Sequence, residues 1–591
     1  MRRSKPLAAI AGVALFALAA CGSGGGSDES PSGNDTFGVQ KDVKDKDPSA
    51  KGPAPEVEGA QKGGTITVYD PGDPGPPDLD PDNGWSVVGN SIEQALLTRS
   101  LTQYRRDPET GKMILVPDLA TDLGTPNKDY TAWTFTIKDG VKWENGKPVT
   151  AKEVAFGIAR SMDTENFPMG VGQAYSQTYF KDAGKYKGPY SDKKTSWEKW
   201  GGVTVKGNSL TIHMSQTFPD MDFYAAFMAI GPVPLNAGPA SEYGKHPLAT
   251  GPYKIQSFDP EKQLVLVKNP EWDPKTDPAR HQYADKWIIK FDTDQDKTDQ
   301  IMLSNSGAGD TSLSFSINTS ANLDKFKSTL GDRLIQQSSQ CTSFWMPDYT
   351  KIKDINVRKA IAYGYPYADA WLAAGEVPNV TRVPANTIMP PGMAGKDEDF
   401  QVDGKQITYD PAKAKELLDK AGYAPGEYKL YAAYYEPDPL AVATMKQVKK
   451  GLEQAGFDVT YYPIQDSPST VYGDANNKVN KKLNIRAVGW CSDWPSALTF
   501  IPPLLQTGQY YNFEKFSEKA VDDQIKKIPS MPLEDQPDAW GDLDKKIMTD
   551  YFPVIPLSYN NYLFPMGKKI GGYSGDGEIA APNFKDLYVT K

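Results

Sequence analysis

The sequence predicts a mixed α/β protein built of more than one lobe. Three observations lead there. Strand-like and amphipathic helical runs alternate through the second half of the chain. Some 530 of the 591 residues follow a Gly/Ser/Pro-rich leader, too many for one hydrophobic core and enough for two or three lobes. After one short apolar run near the start, no second hydrophobic segment reaches membrane-spanning length.

The elements follow in chain order. Arg2, Arg3 and Lys5 precede an apolar run from Leu7 to Ala20, which ends in Leu18-Ala19-Ala20-Cys21. Small residues before a cysteine read as a lipoprotein signal whose Cys21 takes a diacylglyceryl group, so residues 1–21 are expected to be an export signal and lipid anchor. Residues 22–63 hold almost no large apolar side chain, and a segment that cannot bury surface is expected to be a flexible tether. As a coil its roughly 40 residues span on the order of 35 Å.

Gly64 to Tyr69 alternates as a strand and leads into a Pro-rich turn from Asp70 to Pro81. A helix is expected from about Ser91 to Thr102, with Ile92, Leu96, Leu97 and Leu101 forming its apolar stripe. Trp133 to Ile137 is a strand, Asp139-Gly140 turns, Val141 to Trp143 returns, and Glu144 to Pro148 turns again. Thr150 and Glu153 form a capping box for a helix whose Val154, Ala155, Ile158, Ala159 and Met162 share one face. Structure alone accounts for these residues. In the second half, Asp410-Pro411 opens a helix, Tyr428 to Tyr434 is a strand, Val442 to Ala455 is a helix ended by Gly456, and Phe457 to Tyr462 is a strand.

Composition excludes several functions. The net charge of −10, without a dense Lys/Arg stripe, argues against nucleic acid as a partner. His213, His246 and His281 lack metal-ligand spacing, and no CxxC, HExxH, GxSxG, P-loop or GxGxxG pattern occurs, so neither a metal nor another cofactor is expected. A peptidase needs a nucleophile–base pair or a metal cluster, which this census does not supply. With Cys21 committed to lipid, Cys341 and Cys491 remain as an even pair in an oxidising compartment; they either form a disulfide or stay as two buried thiols. The 31 Tyr, 22 Phe and 12 Trp suit a large cleft as well as a core.

The run Arg486 to Pro495 concentrates the chemistry. It reads as the end of a buried strand, carrying Leu483, Ile485, Ala487 and Val488, that stops at Gly489 and turns into Trp490-Cys491-Ser492-Asp493-Trp494-Pro495. A carboxylate between two indoles finds a cation or shifts its pKa upward, and a ligand ammonium would satisfy both the charge and the ring faces. The competing reading makes Asp493 the cap of a helix opened by Pro495 and the indoles core. Arg486 points to the opposite face of a regular strand and is left out of the site.

The run WTFTIKDGVKWENGKPVTAKEVAFGIAR resembles the signature of the family-5 solute-binding proteins, the extracytoplasmic receptors of oligopeptide and dipeptide ABC importers. Later stretches agree: Thr250-Gly251-Pro252-Tyr253, Asp354 to Ala362, Gly489 to Asp493, and Gly571 to Gly575 with Leu587-Tyr588-Val589, which together cover most of residues 64–591 in order. The resemblance implies a type II periplasmic-binding-protein-like fold, two hinged α/β lobes with an additional domain inserted in the first. The expected division is 64–112, 216–337 and 553–591 for the first lobe, 113–215 for the extra domain, and 338–552 for the second lobe, with crossings near Ser338 and Pro553.

The same resemblance implies a monomeric, lipid-anchored receptor on the extracytoplasmic face of a bacterial membrane that captures oligopeptides and hands them to a permease. Asp493 would hold the peptide ammonium, with Gly489, Trp490, Cys491 and Trp494 lining the site. An oligosaccharide or a metal chelate in the same fold is the alternative ligand. The prolines between Asp70 and Pro77 cannot donate the N–H groups that peptide binders use there, so the ligand geometry departs from the family's at that turn.

Overall fold

The computed structural model describes residues 46–71, 75–509, 511–577 and 580–591. Cys21 and the export signal lie outside them, as do residues 72–74 of the Pro-rich turn.

Two sheets carry the architecture. The first has five strands in the order Ser312–Ser314, Thr65–Pro71, Lys286–Thr293, Gln263–Lys268, Tyr253–Asp259. Its first three strands run parallel and the rest antiparallel. The buried faces of Ile66, Val68, Trp287, Ile289, Leu264 and Leu266 form its core. The second is antiparallel, in the order Arg382–Pro384, Ile555–Pro565, Leu334–Pro347, Ile485–Cys491. Its two long central strands pair from Leu334 with Pro565 to Trp345 with Ile555, with register breaks between Ser338 and Thr342 and at Ser343. These strands join the lobes. A parallel pair, Lys429–Tyr435 with Asp458–Ile464, completes the second lobe, with the helix Pro439–Gln454 connecting its strands as in any βαβ crossover.

The capping-box helix forms as expected over Ala151–Arg160, with both reciprocal Thr150–Glu153 bonds present. It lies with the four-stranded sheet Thr125–Pro126, Ala132–Thr136, Ser209–His213, Val203–Lys206. At its last residue the buried Arg160 guanidinium grips Asp80 at 2.7 Å and Asp82 at 2.5 Å. That pairing fastens the loop that leads to Trp85.

Several expectations change. The helix placed at Ser91 to Thr102 instead begins at Val87, because the Ser86 hydroxyl accepts from the Gly89 N–H, and its π-helical continuation ends at Leu97. Leu101 then starts the turn into the strand Thr102–Arg106, which pairs with Met113–Pro117; the division at residue 112 therefore falls inside a hairpin. Val141 to Trp143 makes only a single bridge, Lys142 to Pro148. The end of the supposed tether, residues 46–63, lies against the body. The Asp47 N–H donates to the Leu115 carbonyl, the Gly63 N–H to the Tyr283 carbonyl, and Ala50 and Ala54 are buried. Their small side chains allow this close approach even though the segment has little to bury.

Candidate functional site

The edge strand Ile485–Cys491 carries the site. It does not stop at Gly489: Ser343 pairs with Gly489, Thr342 with Trp490 and Cys341 with Cys491. Cys341 and Cys491 are joined by a disulfide that closes a separation of 150 residues, so the turn beyond the strand starts from a covalently pinned end. Ser492 holds the turn further, its N–H donating to the Gln340 carbonyl and its hydroxyl to the Gln340 side chain at 2.5 Å. Gly489 is exposed, and nothing lies within 4 Å of where a Cβ would stand, so the face of the strand is open there.

Asp493 caps no helix. The next short helical turn, Ala497–Thr499, is capped by Ser496, and the Asp493 carboxylate turns the other way, toward the first lobe and its inserted domain. The Trp85 indole N–H donates to one of its oxygens at 2.7 Å and the Tyr175 hydroxyl donates to the other. Burial pushes its pKa up to about 6, and the two hydrogen bonds only partly offset that rise. Among the described residues no Lys, Arg or His pairs with it.

Trp494 departs from its expected place on a ligand surface. It is 1 % exposed, its ring 4.5 Å from Tyr175 and within about 6 Å of Tyr224, Phe218 and Phe227. Its N–H donates to Asp220 at 2.7 Å. A side chain enclosed on every face has none to offer a solute here. Trp490 keeps one: half-buried, it stacks obliquely on Tyr511 at 4.5 Å and anchors its N–H on the Thr499 carbonyl at 2.8 Å. Cys491 is exposed and serves the disulfide. Arg486, left out of the site, is buried against Asp348 and Asn480 on the strand's other face.

Two clefts meet this strand. One, of about 650 Å³, runs between the inserted domain and the second lobe and is lined by Tyr175, Tyr179, Gln216, Trp490, Gln506 and Tyr511 among others. The other, of about 490 Å³, opens on Gly489 and is walled by Trp345, Tyr434, Tyr435 and Tyr461, with Glu376, Arg382 and Asp438. Among the described residues no group of His, Cys, Asp and Glu side chains could hold a metal ion.

Trp85, Tyr175 and Asp220 escaped the sequence reading. They stand 408, 318 and 274 residues from their partners, and no local pattern marks them.

Two α/β lobes joined by a pair of long strands, with a carboxylate and an aromatic cleft between them and a second cleft in the second lobe, define a two-lobed solute-binding protein. Residues 115–512 match the family described as bacterial extracellular solute-binding proteins, family 5, middle, and the chain belongs to that family. It is 27 % identical over 433 residues to a dipeptide-binding protein of Lactococcus lactis, covering 69 % of this chain and 74 % of that protein. It is 24 % identical over 442 residues to the oligopeptide-binding protein OppA of Bacillus subtilis, covering 70 % and 73 %. Among solved structures, clavulanic acid biosynthesis oligopeptide binding protein 2 superposes with a TM-score of 0.78 at 19 % identity, over 92 % of this chain and all of that one. At that identity the likeness is one of fold, and it agrees with the type II architecture expected from the sequence. No helix among the described residues is long and apolar enough to cross a membrane.

Proposed function

We propose that this protein is a lipid-anchored extracytoplasmic receptor that binds oligopeptides by their free amino terminus between its lobes and delivers them to an ABC importer permease. The observation that carries the reading is Asp493: a carboxylate held by two neutral donors, without a cationic neighbour, and with its pKa raised to about 6. Neutral hydrogen bonds orient such a group but leave its charge uncompensated, and an α-ammonium supplies that charge. The peptide backbone then runs along the last strand of the sheet at Gly489 as an added strand, which gives affinity with little demand on side chains. Relatives named for dipeptide and oligopeptide binding support the ligand class.

The remaining parts follow from the sequence. Cys21 takes the lipid, the upstream part of the tether lifts the body off the membrane, and the first lobe, extra domain and second lobe divide near residues 215, 337 and 553. The working unit is a monomer on the outer face of the cell membrane.

Calorimetry tests the assignment of Asp493. Asp493→Asn should weaken a free-amine peptide by at least tenfold, about 1.4 kcal/mol, since truncating one partner of such a pair commonly costs about 2–5 kcal/mol. Acetylating the peptide should weaken binding to the natural protein and change little in the variant, because both alterations delete one shared interaction. Additive losses would place the ammonium elsewhere.

A further inference from the structure

The two clefts beside the edge strand differ in charge. The cleft at Tyr175 and Trp490 carries a single charged lining residue, Lys526; the rest of its wall is amide, hydroxyl, proline and aromatic. The cleft at Gly489 carries three, Glu376, Arg382 and Asp438. Arg382 is already spent, its Nη2 lying 2.6 Å from the Glu376 carboxylate, with both side chains about three-quarters buried. Asp438 accepts from the Leu440 N–H as a helix cap, and among the described residues no cation pairs with it. The wall therefore keeps one net negative charge, set among the faces of Tyr434, Tyr435 and Tyr461. Carboxylates beside electron-rich rings suit a cation, which gains from both at once.

We propose, resting on the reading of Asp493 above, that the preferred solutes carry two separated positive charges: an α-ammonium at Asp493 and a basic side chain in the Gly489 cleft. Four residues separate Gly489 from Asp493, at most about 14 Å of extended chain. A peptide running along the strand, at about 3.3 Å per residue, brings a lysine or arginine at its second to fourth position to the acidic wall. The first side chain falls to the neutral cleft at Trp490. An anionic ligand end would have to displace Glu376 from Arg382 and would meet Asp438 besides.

Calorimetry of the full-length protein at pH 7.5 with pentapeptide amides of alanine tests this, with one lysine or one glutamate at position two, three or four, each peptide free and N-acetylated. The lysyl peptide should bind at least tenfold tighter than its glutamyl counterpart at one or more positions. Glu376→Gln combined with Asp438→Asn should remove most of that ratio and leave the acetylation penalty intact. Equal affinities for lysine and glutamate, or tighter binding of glutamate through Arg382, would overturn the proposal while the acetylation penalty still upheld the ammonium site. A lysine preference without an acetylation penalty would overturn the reading of Asp493, and with it the two-charge solute. Failure of every peptide to bind would overturn both.

Discussion

Two indoles cross between the lobes in opposite directions, and each donates its N–H to a carboxylate at 2.7 Å: Trp85 to Asp493, and Trp494 to Asp220. The contacts match in geometry and differ in surroundings. Asp220 is buried, accepts also from Ser496, and feels the Lys46 ammonium, which lies 2.6 Å from the neighbouring Asp222. Its partner indole is packed among four aromatic rings. Asp493 has only neutral donors, Trp85 and Tyr175. One contact is a finished latch between lobes, and the other is a charge without its counterpart. A hydrogen bond fixes where a carboxylate sits; a nearby cation decides whether it still seeks a ligand.

The disulfide supports both contacts, because Asp493 and Trp494 lie two and three residues beyond Cys491. Replacing Cys341 and Cys491 by serine should cost about 4–5 kcal/mol in the chain-entropy limit for a closure of this length, and often less in practice. Denaturant unfolding reads the loss, and thiol labelling of the unfolded natural protein should find neither cysteine free. Labelling of both would remove the pinned strand end from the account.

Trp494→Ala should be the next most damaging change, about 3–5 kcal/mol, since it empties a fully enclosed indole site and leaves Asp220 with one donor fewer. Small-angle scattering should show the lobes further apart. An unchanged radius would mean that the latch does not hold the interface.

Burial raises the pKa of both carboxylates, and the pH dependence is followed at Asp493, the one without a cation near it. The folded pKa of Asp493, about 6, lies above its ordinary value of 3.8, so its contribution favours the folded state below about pH 4 and is lost as pH rises through 6. The shift of about two units corresponds to roughly 3 kcal/mol. Asp493→Asn should therefore flatten the stability profile of the ligand-free protein between pH 4 and 7. A cationic peptide binds the ionised form, so affinity should be greatest near pH 7 and fall below 6, with about half a proton released per peptide bound at pH 6. It should fall again above about pH 8 as the peptide's own amine loses its proton. Calorimetry in buffers of different ionisation enthalpy counts that proton; none released would break the contrast with Asp220.

The smallest effect belongs to Lys46. Its partly exposed pair with Asp222 is worth up to about 1 kcal/mol, so Lys46→Met should shift the denaturation midpoint slightly and leave peptide affinity nearly unchanged. A large loss of affinity would tie the N-terminal strap to ligand capture.

Features whose causes lie within a few residues were legible in the sequence. The Thr150–Glu153 capping box, the helix opened by Asp410-Pro411, and the alternating strand after Gly64 depend on local hydrogen bonds and side-chain period, and they formed where the pattern put them. Counting thiols left Cys341 and Cys491 as a possible pair, and the setting of Asp493 between two indoles marked it as a carboxylate in need of a partner. Register was less legible. Gly489 reads as a strand end because glycine favours turns, yet a neighbouring strand supplies its hydrogen bonds and carries it through. The difference between Trp490 and Trp494 was beyond sequence altogether, as was the arrival of Trp85 and Tyr175 at Asp493. Both depend on which surfaces meet when lobes pack, and that contact joins side chains up to 408 residues apart with no periodicity to announce it.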